Sequence, residues 1–245
     1  MVAREIDLQA RKERILGIAI REYIQSVTPV SSSFIAKEYP LDLSSATIRN
    51  VLAELEEEGY LTHPHTSAGR IPTQAGYRFY VDHLMNEIEL LEEEKARIKA
   101  EYQKESDELE TLLEKTSELL SNTTQYTSIV SVDGWGTKMF LRGTGHIVEY
   151  PDLQDIEKIR NILVALDRKE QLLEVINRKL RKNIEILIGQ EIACQGINSC
   201  SLVISSYQSN KGPSGRIAIL GPKHMNYDKV ISTLEYIREV MNEVL

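Results

Sequence analysis

Residues 44–58 carry the pattern of an amphipathic helix, and this segment constrains the fold more than any other. Ser44 is a residue type favoured at a helix N-cap, because its hydroxyl accepts a hydrogen bond from the free N–H groups of the first turn. The apolar residues after it recur at the i, i+3, i+4 and i+7 spacing of one helical face: Ile48, Val51, Leu52 and Leu55. Gly59 suits the C-terminal end. We therefore predict a helix that buries one face and exposes the other.

The exposed face of this helix is small or able to form hydrogen bonds. It carries Ala46, Thr47, Arg49, Asn50 and Ala53. Arg and Asn are the side chains that bind guanine and adenine edges in a major groove. We predict that Thr47, Arg49 and Asn50 face base edges, and that Ser44 and Ser45 bond phosphate at the helix N-terminus. The alternative is an ordinary solvated helix surface.

Two helices precede this one. Residues Arg14–Gln25 have a broad apolar face, and Pro29 stops that helix. Ser31, Ser32 and Ser33 offer N-caps for a short helix over 34–39, which Pro40 closes. Three helices separated by short turns are typical of a helix-turn-helix, with the helix after Ser44 as the recognition helix.

A hairpin is predicted after Gly59. Tyr60–His63 and Ile71–Thr73 have the composition of short strands, and the residues between them are small or polar. Gly69 frees the backbone to turn, and Arg70 brings a permanent charge to the DNA backbone or a narrow minor groove. We expect DNA contacts along the tip, which makes the hairpin a wing: His65, Thr66, Ser67, Gly69 and Arg70.

Several runs of this chain resemble one family, the heat-inducible transcription repressor HrcA. The runs are 45–50 (SATIRN), 65–73 (HTSAGRIPT), 76–82 (GYRFYVD), 200–203 (CSLV), 215–217 (GRI) and 221–227 (GPKHMNY). The resemblance implies a repressor that binds an inverted-repeat operator upstream of chaperone genes as a dimer. It also implies tuning by the GroE chaperonin.

The chain departs from this family in its middle. Usual members are longer and have several strands of a GAF-like domain, with a further inserted domain, before the segment similar to Gly143–His146. In this chain Tyr126–Val132 passes quickly into a stretch that resembles the later half of the family. The GAF-like domain is therefore expected to be reduced and the insertion absent.

The net charge of −8 is unusual for a DNA-binding protein, because neutralising phosphates supplies much of the affinity. Most of the acidity lies in residues 84–120, which carry 5 Lys or Arg against 12 Asp or Glu. Glu54, Glu56, Glu57 and Glu58 lie at the far end of the recognition helix. We expect a small positive footprint, modest affinity per monomer and a need for two copies.

We predict a linker helix over 76–122 with a heptad-like apolar seam. Its positions are Leu84, Ile88, Leu91, Lys95, Ile98, Tyr102, Glu105, Leu109, Leu112, Thr116 and Leu119. Two alternatives stay open: the seam forms a coiled coil between copies, or it packs against the C-terminal domain of its own chain.

A mixed pattern of strands and helices begins after Asn122. Strands are predicted over 126–132, 184–188, 201–207 and 216–220, with weaker ones at 139–141 and 147–148, and helices over 153–166, 168–180 and 227–244. We therefore predict an α+β protein: a winged helix-turn-helix over 1–75, a linker helix over 76–122, and a small reduced GAF-like α+β domain over 123–245.

No enzymatic or cofactor chemistry is predicted. His63 and His65 lack further ligands at metal spacing, and Ser201 and Ser205 do not lie in a nucleophile elbow. The two cysteines, at 194 and 200, are expected to be reduced thiols. The N-terminus has no hydrophobic signal region and no stretch is long enough to cross a bilayer, so we expect a soluble cytoplasmic protein.

These observations favour a dimeric repressor that binds double-stranded DNA. The alternative is a sensor or chaperone-interaction protein whose winged helix contacts protein instead, and the acidic linker slightly favours that alternative.

Overall fold

The computed structural model describes residues 2–65, 68–85, 90–103, 109–150, 155–180, 182–208 and 213–244. It shows a mixed helix and sheet protein with two compact units, Met1–Asn86 (unit 1) and Glu87–Leu245 (unit 2). Thr66 and Ser67 of the predicted hairpin tip lie outside the described residues.

Unit 1 combines helices with one small hairpin. Its elements are α1 (Val2–Ser26), α2 (Ser32–Glu38), α3 (Ser45–Glu57), β1 (Leu61–Thr62), β2 (Ile71–Pro72) and α4 (Gln74–Phe79), followed by a π-helical turn at Tyr80–Leu84. Hydroxyls cap three of the helices, and the sequence predicts the caps of α2 and α3. Ser31 accepts from Phe34 N, Ser44 from Thr47 N, and Thr73 from Gly76 N. Helix α1 begins earlier than residue 14, where the sequence predicts its start.

The predicted apolar stripe of α3 forms part of the core of unit 1. Its four side chains, Ile48, Val51, Leu52 and Leu55, are at most 4% exposed. Residues of α1 and β1 are buried in the same unit: Ile15, Leu16, Ala19, Ile20 and Leu61. The stripe thus orients α3, so that the opposite face is turned to solvent.

The hairpin is antiparallel, with Leu61 opposite Pro72 and Thr62 opposite Ile71. An isolated bridge adds Val30 to it, because the backbones of Val30 and Arg70 exchange hydrogen bonds of 2.9 and 2.8 Å. Gly69 allows this approach, since a Cβ there would lie 2.6 Å from the Val30 carbonyl. Gly69 does not have a positive φ. Its role is thus close packing and not the turn conformation that the sequence suggested.

Unit 2 is built around a five-stranded antiparallel sheet of order β4-β3-β7-β6-β5. Its elements are α5 (Glu92–Gln103), α6 (Leu109–Thr124), β3 (Thr127–Val132), β4 (Met139–Arg142), α7 (Ile156–Asp167), α8 (Lys169–Ile176), β5 (Ile184–Ile188), β6 (Cys200–Tyr207), β7 (Gly215–Pro222) and α9 (Tyr227–Val244). These strands and helices lie close to the predicted ones. Residues 147–148 differ, because they belong to a 3-10 helix at Thr144–Glu149 instead of a strand.

Helices cover both faces of the sheet. On one face α6 and α9 pack on the strands, where Ser117 of α6 bonds Ser128 at 2.8 Å and Tyr227 of α9 bonds Ser201 at 2.7 Å. On the other face α7 and α8 bury Ile162, Leu172 and other side chains in a core with inward residues of the strands. Side chains alternate between the two faces along each strand, and buried serines such as Ser128 and Ser201 belong to the face that α6 and α9 cover.

The structure differs from the linker helix predicted over 76–122. The backbone of Met85 is extended, with ψ 135°, and α5 and α6 are separate helices. Seam residues Ile98, Tyr102, Leu112 and Thr116 are buried within unit 2, and Tyr102 bonds Thr116 at 2.7 Å. Of the two alternatives, packing on the chain's own C-terminal part is the one the structure shows for α5 and α6.

Candidate nucleic-acid interface

The N-terminus of α3 is fixed by hydroxyl contacts. Ser44 Oγ accepts from Thr47 N at 3.1 Å and lies 2.9 Å from Thr47 Oγ1. Ser45 Oγ lies 3.2 Å from Ser32 Oγ, which joins α3 to the start of α2. These hydroxyls therefore hold the helix end in place. The backbone N–H groups of the first turn supply further donors there.

The solvent face of α3 carries the residues predicted to contact bases. Arg49 and Asn50 are exposed, Thr47 is half-buried, and the small Ala46 is exposed beside them. Within the described part of the chain Arg49 forms no ion pair. The structure thus brings a free guanidinium and a carboxamide together on one surface. Both groups match the donor and acceptor pattern of purine edges.

Arg70 is held against α3 instead of standing free at the hairpin tip. Its Nη2 donates to Glu56 Oε2 at 2.7 Å, and its side chain is 22% exposed. His63, across the hairpin, contacts the other oxygen of the same carboxylate through Nδ1. The Nε of Arg70 is buried without a hydrogen-bond partner. Glu56 therefore ties both sides of the hairpin to α3. His65 is exposed.

A pocket of about 380 Å³ is lined by residues of the hairpin, α2 and α3. Its lining residues are Val30, Ser31, Ser32, Arg49, Leu52, Ala68, Gly69 and Arg70. Two guanidinium groups and two hydroxyls thus border one concavity. Such groups are the side-chain donors that bind phosphate oxygens of a DNA backbone.

The acidic end of α3 is partly neutralised within unit 1. Lys12 of α1 forms ion pairs with Glu54 at 2.7 Å and Glu58 at 2.8 Å. The hydrogen bonds that Lys12 donates to these two carboxylates raise its pKa above the usual value. With Glu56 engaged by Arg70 and His63, three of the four acids have cationic or histidine partners. The acids thus oppose DNA binding less than the sequence implies.

The sequence predicts no role in this site for three of its residues: Lys12, Ser32 and Glu56. Helical spacing places Glu56 at the far end of α3, but nothing in the sequence shows which of four neighbouring acids faces the hairpin. For Ser32 the sequence predicts only a helix cap. The contacts of all three depend on how α1, α2 and the hairpin pack around α3.

The described residues contain no cluster of three or more His, Cys, Asp or Glu side chains that could hold a metal ion. Cys194 and Cys200 are free and buried. In the described part of the chain, no helix combines the length and apolarity that spanning a bilayer requires.

Known proteins resemble the chain along nearly its whole length. A family model described as HrcA protein C terminal domain matches residues 132–231. The heat-inducible transcription repressor HrcA of Desulforudis audaxviator is 30% identical over 337 positions, covering 97% of this chain and 98% of the relative. That of Symbiobacterium thermophilum is 28% identical over 333 positions, covering 96% and 98%. The 337 positions exceed the 245 residues of this chain by 92, so at least that many have no counterpart here.

One solved structure has the same fold. It is the crystal structure of a hypothetical protein at 2.2 Å resolution, with a TM-score of 0.73 and 21% identity. The match covers 96% of this chain and 97% of that one. The sequence similarity to the repressors covers at least 96% of this chain and so extends through both units. By this similarity, the chain belongs to the family of heat-inducible transcription repressors HrcA.

Proposed function

We propose that this protein represses transcription of heat-shock genes by binding an inverted-repeat operator in double-stranded DNA as a dimer. The observation that carries the proposal is the exposed pair Arg49 and Asn50 on α3, beside a hairpin that bears Arg70. A helix with base-reading side chains next to a basic hairpin is the arrangement that a duplex requires. Family membership supports the same function.

In this proposal unit 1 is a winged helix-turn-helix. Helices α1, α2 and α3, the β1–β2 hairpin and the bridge from Val30 to Arg70 support that assignment. Helix α3 is the recognition helix and enters the major groove, because its apolar stripe is buried and its opposite face is open. The hairpin is the wing and lies along the sugar-phosphate backbone.

The proposed contacts follow from these positions. Thr47, Arg49 and Asn50 face base edges. Ser44 and Ser45 lie at the helix N-terminus, where backbone N–H groups bind phosphate. On the wing, phosphate is bound by His65, Gly69 and Arg70, and the sequence adds Thr66 and Ser67, which lie outside the described residues. Arg70 keeps Nη2 on Glu56, and the part of its guanidinium that remains exposed faces the DNA.

Unit 2 is proposed to be a reduced GAF-like domain, and this is supported by its antiparallel sheet with helices on both faces. It would join two copies, so that two recognition helices meet two half-sites. Tuning by the GroE chaperonin is proposed from the family resemblance alone. A protein with this function works in the cytoplasm and is not an enzyme. A sensor that uses the winged helix for protein contacts is not favoured, since the relatives are transcription repressors.

A gel-shift titration with the full chain tests this function. The probe is the inverted repeat from the promoter of the chaperone genes in the source organism, and a scrambled duplex of equal length is the control. We expect the inverted repeat to bind at least 10³-fold more tightly, with a steep loss of affinity as salt rises. Equal affinity for both duplexes would contradict sequence-specific repression.

A further inference from the structure

Helix α7 has apolar side chains on its outer face as well as on its inner face. On the inner side Ile162, Ala165 and Leu166 are buried in the core of unit 2. On the outer side Ile156 is 82% exposed, Leu163 41% and Val164 38%. Large apolar side chains that recur on a solvent face mark an interaction surface more often than isolated ones do.

The outer face is one continuous stripe. Positions 156, 160, 163, 164 and 167 fall on the same side of a helix with 3.6 residues per turn, opposite the buried positions. The two polar members are Arg160 and Asp167, and both are exposed. Neither forms an ion pair within the described part of the chain. The stripe therefore has an apolar centre with a cation on one side and an anion on the other.

This charge order is complementary to itself when two copies of α7 lie antiparallel. With the two-fold axis between residues 163 and 164, Leu163 meets Val164 of the second copy. Arg160 then meets Asp167, and the same pair forms again on the other side of the axis. An isologous contact requires such reciprocity, because each residue and its partner exchange places under the rotation. A parallel arrangement would instead bring like charges together.

We propose that the outer face of α7 is a homodimer interface, with a second copy of this chain seated antiparallel on it through Leu163, Val164, Arg160 and Asp167. The need for a second copy rests on the proposed function. The surface itself rests on the exposed stripe and its charge order. The relative from Desulforudis audaxviator has at least 92 positions that this chain lacks, so a dimer of this chain cannot use those positions.

The contact is small. Two short helices bury less area than a standard interface, so we expect a dissociation constant on the order of micromolar. Reversal of one charge turns two attractive pairs per dimer into two repulsive ones. This change is expected to weaken the dimer about tenfold or more.

Sedimentation velocity of the full chain without DNA tests the interface. Wild type should shift from monomer to dimer across micromolar concentrations. Arg160→Asp and Asp167→Arg should each remain monomeric at concentrations where wild type is a dimer. An equimolar mixture of the two variants should recover the dimer, because each variant supplies the charge that the other needs. Leu163→Glu should also be monomeric, and Leu91→Glu, at an apolar position that is 69% exposed outside α7, should behave as wild type.

Far-ultraviolet circular dichroism of each variant is the control for folding. Single variants that dimerise as well as wild type would overturn the proposal, as would a wild type that stays monomeric throughout. If the equimolar mixture of the two charge variants does not form the dimer, the antiparallel register is overturned. Because no DNA is present, failure here is distinct from failure of the repressor assignment, which the gel-shift titration tests.

Discussion

Arg70 of the hairpin donates to Glu56 of α3 across 2.7 Å, and so links the two elements that are proposed to contact DNA. The same carboxylate also contacts His63 on the other side of the hairpin. The angle between hairpin and helix is therefore fixed by side-chain contacts within unit 1, in addition to the backbone bridge between Val30 and Arg70.

Loss of the Glu56 carboxylate should loosen the hairpin. We expect Glu56→Gln to lower the free energy of unfolding by about 1–2 kcal/mol, because charge-assisted hydrogen bonds of partly buried groups are lost. Urea unfolding followed by circular dichroism measures this change. Glu57→Gln is the matched control, since Glu57 is exposed on the same helix. Equal stability of the two variants would show that the Glu56 contacts contribute nothing.

A side chain at position 69 should separate the hairpin from Val30. In Gly69→Ala the new Cβ would lie 2.6 Å from the Val30 carbonyl, which is backbone and cannot rotate away. We expect a cost of about 1–3 kcal/mol, seen as at least tenfold faster hydrogen exchange at the Val30 and Arg70 amides. Gly145→Ala provides the control, because a Cβ there meets nothing within 4 Å. Unchanged exchange in Gly69→Ala would refute the close-packing role.

Phenols that are buried or partly buried should make the protein sensitive to alkali. Burial, and then the hydrogen bond to Glu22, raises the pKa of Tyr39 from 10.0 to about 12. Burial also raises the pKa of Tyr102, Tyr126 and Tyr207. A raised pKa in the folded state favours the neutral phenol. The associated stability is complete below about pH 10 and is lost as pH rises through the folded-state pKa values.

Urea midpoints measured at increasing pH test this expectation. The midpoint should fall steeply between about pH 10 and 12, where Tyr39 titrates in the folded state. Tyr39→Phe should show a shallower fall over the same window, since the variant lacks the phenol whose ionisation destabilises the fold there. A midpoint that rises or stays constant there would contradict the burial of these phenols.

The sequence predicts α3 well because every local signal agrees: a capping residue at Ser44, one apolar stripe and a glycine at position 59. In the structure Ser44 is the N-cap and Gly59 has a positive φ of 82°. It predicts α5 and α6 less well. A heptad-like seam shows that one face is apolar but does not show which surface covers it, and the cover is α9 and the sheet of the same unit. The ion pair of Arg70 with Glu56 joins residues 14 apart, so local periodicity could not predict it.

Removal of Arg70 should weaken binding to every duplex. In Arg70→Ala one phosphate contact is lost, so affinity for operator and scrambled DNA should fall together and the salt slope should decrease by about one ion. Glu56→Gln is the control for loss of hairpin stability. It breaks the same ion pair but keeps the Arg70 cation that is proposed to bind phosphate. If both variants lose affinity equally, Arg70 acts on the structure of the hairpin and not on phosphate.

The central claim is that the exposed face of α3 recognises base sequence. Its most direct test is the ratio of operator affinity to scrambled-duplex affinity for Arg49→Ala, measured by gel shift beside wild type and Arg70→Ala. We predict that Arg49→Ala lowers this ratio by about tenfold or more, since a bidentate base contact contributes about 1–3 kcal/mol of discrimination. Arg70→Ala should leave the ratio unchanged while both affinities fall. If the affinity ratio of Arg49→Ala equals that of wild type, base recognition by this residue is contradicted.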